Sequence, residues 1–514
     1  MSCLGGPANP PASRPETLGI TRAASGSVAH AVAWTGVAKW LTQLVTWAST
    51  ILVVRLLTPE DFGLVGMAQI FVSLVMIFTE FGLATAIIAY PELGEEQIGQ
   101  LNTLSIIAGT VAVLIMCAVA VPIGRFFTAP QLPLVVTAIA SIFAINGFRI
   151  VPNAILQREF RFRYLAIAES IPSIVGAVAM IGFAALGFHY WTLVIGTVLG
   201  SLVATALTVA GRPCRLLWPQ LTPEVSSVLK VSWHLWVTRL VWWVQVNADG
   251  LVVGRFLGNG PLGAYAMTMS VASQPLDKIT SLVTQVSPPF FSAAQADQAA
   301  LRKMLLVLTG VLAVIVFPMA GGLTVVAPEF VLTILGAKWA AVTPALQLLS
   351  TAAAFRSIES LLSPIVVVTG GTRLFMYLGV IEAAIMSLTF YVGSGFGITG
   401  VALGWLVVYP ILQLPIYVWV FRRTGVGLTE YFSTLWPALR ATVLMVAAVM
   451  GLNLIMPFDS PASQRLIAQV GLGAGTYILI SLLQRRRLHA MYRDFRALGQ
   501  LTAPLRLPEA SRRA

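Results

Sequence analysis

The stretch LNTLSIIAGTVAVLIMCAVAVPIG, from Leu101 to Gly124, runs through twenty-four residues without one acidic or basic side chain. About 20 such residues in a helix cross the roughly 30 Å hydrocarbon core of a bilayer. Breaking the rest of the chain at charges and at Pro/Gly clusters finds the same pattern again, near 33–54, 62–88, 131–155, 164–186 and 189–211 before a polar stretch. After it come 231–254, 262–290, 304–326, 343–368, 374–393 and 398–421, and then 433–456 and 464–484. The expected fold is an all-α integral membrane protein of about 14 transmembrane helices. Composition agrees: of 514 residues 57% are hydrophobic and 10% charged, with a mean hydropathy of +0.85, whereas a soluble domain carries about 25% charged residues. A soluble enzyme is excluded.

The segments group into a disordered cytosolic tail (1–30), a six-helix lobe (31–211), a cytosolic linker (212–230), a second six-helix lobe (231–421), two further helices (422–484) and a basic cytosolic tail (485–514). With the N-terminus in the cytosol, inward loops and tails hold 21 Lys and Arg residues against 5 in outward loops. The positive-inside rule then fixes both termini as cytosolic, and the net charge of +12 reports loops on a membrane rather than a nucleic-acid partner. Shifting the chain by 200 residues lays Val53-Val54-Arg55-Leu56-Leu57 and Gly63 on Val253-Gly254-Arg255-Phe256-Leu257 and Gly263. Six helices separate the copies, so both halves enter the membrane in the same direction, as parallel repeats in two-lobed transporters do.

Polar residues inside such segments need a reason. Thr35, Lys39, Thr42, Thr46 and Ser49 line one face of the first helix, and Thr238, Trp242, Gln245 and Asp249 one face of the seventh, with Arg239 falling on Lys39 in the repeat. Two equivalent cations across a two-lobed cavity make a site for an anion, phosphate above all. Arg149 and Arg356 are further cations within spans, and Glu169, Asp277, Glu359 and Glu382 are acids that can pair with them. Glu80, mid-span in the second helix, is a possible proton-coupling group or a structural hydrogen-bonding one. Three scattered cysteines and four scattered histidines give neither a disulfide framework nor metal-ligand spacing, so no metal and no cofactor are expected. Gly395-Phe396-Gly397-Ile398-Thr399-Gly400 lies between two apolar helices, not after a strand, and reads as a turn. No phosphate-loop motif exists. Beyond the last span, Arg485-Arg486-Arg487 leads into Leu488, Met491, Tyr492, Phe495 and Leu498 at helical spacing, either an interfacial helix on anionic lipid or a solvated basic tail.

Three motifs carry a family resemblance. Arg55-Leu56-Leu57-Thr58-Pro59-Glu60-Asp61-Phe62-Gly63 resembles the first-loop signature of bacterial polysaccharide exporters of the Wzx type. Leu156-Gln157-Arg158-Glu159-Phe160-Arg161-Phe162-Arg163 is similar to a segment of the colanic-acid exporter branch. The third is Asp249-Gly250-Leu251-Val252-Val253-Gly254-Arg255-Phe256-Leu257-Gly258, followed by Leu262-Gly263-Ala264-Tyr265 and Gln274-Pro275. The resemblance implies the fold of the multidrug/oligosaccharidyl-lipid/polysaccharide (MOP) flippases in a bacterial inner membrane. It implies movement of undecaprenyl-pyrophosphate-linked oligosaccharide repeat units from the cytosolic to the periplasmic leaflet, for capsule, O-antigen or exopolysaccharide. Lys39, Arg149, Arg239 and Arg356 would then hold the pyrophosphate, and polar and aromatic groups including Trp242 and Gln245 would meet the sugar. A polysaccharide polymerase and export machinery are the partners so implied. Two relatives of the same superfamily remain as alternatives, a cation-coupled multidrug antiporter and a peptidoglycan-precursor flippase. Fourteen spans, and cations in the first, fourth and seventh helices, speak against the antiporter. A membrane glycosyltransferase would need an acidic pair in a loop, and the outward loops are too short for one.

Overall fold

A computed structural model describes residues 42–79, 84, 87, 88, 93–218, 223–295, 297–457, 460–485 and 493. Among them fourteen long helical segments follow in order: α1 Thr42–Leu56, α2 Pro59–Thr79, α3 Glu95–Phe126, α4 Leu132–Arg158, α5 Phe162–Ala185, α6 Trp191–Gly211 and α7 Pro223–Phe256. Then come α8 Asn259–Ala293, α9 Gln298–Leu335, α10 Ala337–Val368, α11 Thr372–Ser394, α12 Gly397–Thr424, α13 Leu428–Ile455 and α14 Ala462–Leu483. Eleven are long and apolar enough to cross a membrane. The described part of α1 is shorter, while α7 and α8 carry polar residues such as Gln245, Asn247, Asp249, Gln274 and Asp277. The protein is a multi-pass membrane protein with the expected fourteen helices. One boundary moves: α7 begins at Pro223, inside the expected linker, because proline suits a first helical turn and polar residues move a helix out of the apolar window without ending it. The N-terminal tail lies outside the described residues, as does nearly all of the C-terminal one.

Local chemistry sets the helix ends. The backbone N–H of Thr58 donates to Asp61 Oδ2 at 3.0 Å and that of Asp61 donates to Thr58 Oγ1 at 3.3 Å, a reciprocal capping box that opens α2. Pro59 fits the first turn, and Glu60 and Asp61 complement the positive end of the helix dipole. Asp297 caps α9 by accepting from the N–H groups of Ala299 and Ala300 at 2.9 and 3.1 Å. Gly425, at φ +68°, ends α12 in the left-handed conformation that closes a helix without Cβ strain.

The 200-residue repeat reappears as a contact. α2 and α8 cross so closely at their N-terminal ends that a Cβ on Gly63 would lie 1.7 Å from the Asn259 carbonyl oxygen, and one on Gly263 would lie 1.9 Å from that of Pro59. Each glycine thus receives the first turn of the other repeat's helix. Beside this crossing the lobes grip one another through backbone carbonyls. Arg55 donates to the carbonyls of Ile334 (3.0 Å) and Thr333, Lys338 to those of Arg55 (2.8 Å) and Leu57, and the fully buried Trp339 to that of Val54 (3.2 Å). The main core gathers α2, α3, α4, α7, α8, α9, α10, α11 and α12, with Met67, Phe127, Leu346 and Phe390 among its buried members. α13 and α14 pack outside on α9, where Tyr477 donates to the Val314 carbonyl at 2.7 Å and Arg465 pairs with Glu329 at 3.0 Å. Side chains such as Leu114, Leu134, Val178 and Leu454 face outward, which bilayer hydrocarbon accommodates where water would not.

Candidate functional site

Three polar side chains recur on α12 at steps of four, Trp405, Tyr409 and Gln413, and each reaches a carboxylate on a different helix. Trp405 Nε1 donates to Asp249 Oδ2 on α7 at 3.3 Å, the Tyr409 hydroxyl to Glu359 Oε2 on α10 at 2.8 Å, and Gln413 Nε2 to Glu382 Oε2 on α11 at 3.1 Å. A π-helical turn over Gly404–Val408 contains Trp405 and ends just before Tyr409, and the two rings lie 5.3 Å apart. Single π turns inside α-helices concentrate at functional positions. Asp249 is buried and also accepts from the Tyr265 hydroxyl of α8 at 2.7 Å and from the Gly250 N–H at 2.7 Å. Trp405 Nε1 lies 3.0 Å from the Tyr265 oxygen as well, so Asp249, Tyr265 and Trp405 form a closed triangle in which the carboxylate's acceptor capacity is largely used.

Arg356 on α10 lies over the Trp405 ring, its guanidinium carbon 4.6 Å from the ring centroid, in cation–π range. Together these groups line a cavity of about 480 Å³ between α2, α7, α8, α10, α11 and α12, within the size range of ligand sites. Asp249, Asp277 and Glu382 line it with Arg356, so among the described residues it holds three carboxylates to one cation. Gly66 and Ile70 of α2 bring the N-lobe to its wall. Carboxylates and amides suit hydroxyl groups, the guanidinium suits an anion, and exposed aromatic faces suit the C–H faces of a sugar.

The expected site residues are distributed unevenly. Trp242, Gln245, Asp249 and Arg356 come together in this cavity, with Gln245 Nε2 also donating to the Gly379 carbonyl of α11 at 2.9 Å. Arg149 lines a separate N-lobe cavity of about 170 Å³ with Asn146, Asn153 and Ser105. Arg239 is exposed on α7, about one turn from Trp242. Thr42 and Thr46 are half-buried on the described part of α1 and are not among the described lining residues of either cavity, with Thr46 Oγ1 donating to the Thr42 carbonyl at 2.9 Å. Ser49, on the same stripe, is buried and donates to the Ala177 carbonyl of α5 at 3.1 Å, so that part of the stripe docks two helices. Lys39 and Glu80 lie outside the described residues.

Tyr265, Trp405, Tyr409 and Gln413 are not among the site residues that the sequence singles out. The four-residue spacing on α12 was a readable signal. The aromatic members, however, fit an apolar helix so well that their hydrogen-bonding ends go unnoticed.

A family model described as "Polysaccharide biosynthesis protein" matches residues 52–344, more than half of the chain. The chain is 26% identical over 392 residues to the lipopolysaccharide biosynthesis protein WzxC of Escherichia coli (strain K12), covering 74% of this chain and 78% of the relative. It is 23% identical over 464 residues to the succinoglycan biosynthesis transport protein ExoT of Rhizobium meliloti (strain 1021), covering 90% and 94%. Among solved structures, the lipid II flippase MurJ in an inward closed conformation superposes with a TM-score of 0.70 at 15% identity, covering 88% of this chain and 99% of that one. An inward-facing multidrug resistance MATE family transporter of the MOP superfamily superposes at 0.56 with 16% identity, covering 75% and 94%. These two share the fold.

Proposed function

The chain belongs to the polysaccharide biosynthesis protein family, and from that membership we propose that it is a flippase for lipid-linked oligosaccharides. It would carry undecaprenyl-pyrophosphate-linked repeat units from the cytosolic to the periplasmic leaflet of a bacterial inner membrane, with both termini cytosolic. A polysaccharide polymerase and export machinery would act downstream. The observation that carries this reading is the family match, which spans α2 to α9 and so takes in both the α2–α8 crossing of the repeats and the Asp249 side of the cavity. The fold supports it further: the MATE superposition leaves about a quarter of this chain unmatched, while the MurJ superposition takes in 88% of it.

In this reading Arg356 is the anion contact of the central cavity and Arg149 that of the N-lobe. Lys39 and Arg239 add positive charge on the first and seventh helices. Trp242, Gln245 and Asp249 meet the sugar, and Glu80 serves proton coupling. Alternating opening of the two lobes moves the head group while the prenyl tail stays in lipid. One observation favours the multidrug antiporter as a second reading: the carboxylates of the described cavity outnumber its cations, as a site for organic cations requires.

A deletion strain separates the two. Under the flippase reading it loses surface polysaccharide and accumulates intact lipid-linked repeat units in the inner membrane, and the plasmid-borne gene reverses both. Unchanged polymer and lipid pools with raised drug sensitivity would replace it with the antiporter.

A further inference from the structure

α13 and α14 are antiparallel, so the start of α13 and the end of α14 share a membrane face with Arg422 and Arg423 at the end of α12. On that face the two helices leave between them a groove of about 860 Å³. Its long wall is apolar, formed by Pro437, Leu479, Leu482 and Leu483, and Trp436 stands at its side, a residue that favours the membrane–water boundary. Arg440 lines the groove one turn further along α13. It is exposed, and no hydrogen bond or ion pair joins it to another described residue. A guanidinium turned toward hydrocarbon is costly unless an anion or water meets it. Arg485 sits at the mouth, where the sequence continues Arg485-Arg486-Arg487. The buried side-chain N–H group of Gln484, which also lines the groove, has no acceptor among the described residues. A buried donor left without an acceptor is costly until something accepts from it.

Among the described residues, three donors and no carboxylate therefore line this leucine-walled groove. We propose that this groove binds an anionic glycerophospholipid of the adjoining leaflet. Its phosphate accepts from Arg440, Arg485 and Gln484, and an acyl chain lies along Leu479, Leu482 and Leu483. None of the groove's lining residues comes from the two six-helix lobes, so the site stands apart from the central cavity and does not depend on what the protein transports.

The test uses the full-length protein, purified and stripped of lipid. It is offered phosphatidylglycerol and phosphatidylethanolamine with matched acyl chains, and bound lipid is counted by native mass spectrometry. Phosphatidylglycerol is expected to be retained at about tenfold lower concentration than phosphatidylethanolamine, and Arg440→Gln/Arg485→Gln to remove that preference. Equal retention of the two lipids by the wild-type protein overturns the proposal without recourse to any variant. So does a preference that survives in a monodisperse double variant. Displacement of phosphatidylglycerol by lower concentrations of undecaprenyl phosphate would assign the groove to a prenyl phosphate and overturn the phospholipid.

Discussion

Arg356 is the residue on which the account of the cavity turns, because it is the one cation among the described cavity-lining side chains and rests on the face of Trp405. Arg356→Gln is expected to slow export on the order of tenfold or more, the effect of losing one charge-assisted contact worth about 1.5–3 kcal/mol, with membrane insertion unchanged. Arg356→Lys keeps the charge but loses the planar guanidinium over Trp405, and should recover part of the rate. Equal loss in both variants would make the stacking, not the charge, decisive. Polymer output per unit of membrane-inserted protein measures both variants against the wild type. Asp249, Trp242, Gln245 and Arg356 could be read from sequence because a polar side chain in an apolar helix must face something other than lipid. Their partners could not. The hydroxyl of Tyr265 and the indole N–H of Trp405 complete the site around Asp249, yet each belongs to a ring that an apolar helix accepts anyway. The stripe on α1 likewise gave a face but not its neighbour, and Ser49 of that stripe binds the backbone of α5.

At the scale of helices, the decisive packing is the α2–α8 crossing at Gly63 and Gly263. Gly63→Ala or Gly263→Ala puts a methyl group well inside van der Waals contact distance of a carbonyl oxygen on the opposite helix, so the helices must separate. Overpacking of this kind costs about 1–3 kcal/mol, and both variants should melt at lower temperature in detergent. Gly475→Ala on α14, with open space around its added carbon, should be neutral or slightly stabilising. Matching melting temperatures for all three would contradict the crossing. The helices themselves were plain in the sequence, since a bilayer demands long apolar runs and charges or turns interrupt them. Two features were not plain. α7 starts within a polar segment at Pro223, and the π turn of Gly404–Val408 changes which side chains of α12 align, a change that hydropathy does not register. The repeat, by contrast, was visible as matched residues at a shift of 200, and the structure turns the match of Gly63 with Gly263 into a reciprocal contact.

For the whole molecule, the question is how two lobes that grip one another open around their cavity. The grip beside the α2–α8 crossing runs from Arg55 to the carbonyls of Thr333 and Ile334, and back from Lys338 to those of Arg55 and Leu57. Arg55→Gln/Lys338→Gln removes both charges while keeping much of the bulk. A cysteine placed at Ser273 in the cavity should then react faster with a membrane-impermeant maleimide added from that end; an unchanged rate would show that the grip does not govern opening. The central claim, that this cavity passes a lipid-linked sugar across the membrane, is tested most directly in vesicles. Purified protein is reconstituted with lipid-linked oligosaccharide from the deletion strain, labelled in its sugar, and a membrane-impermeant glycosidase is added outside. The inner-leaflet pool, protected in protein-free vesicles, is expected to be consumed when wild-type protein is present and to remain largely protected with Arg356→Gln. Persistence of that pool in vesicles holding folded wild-type protein would contradict the central claim.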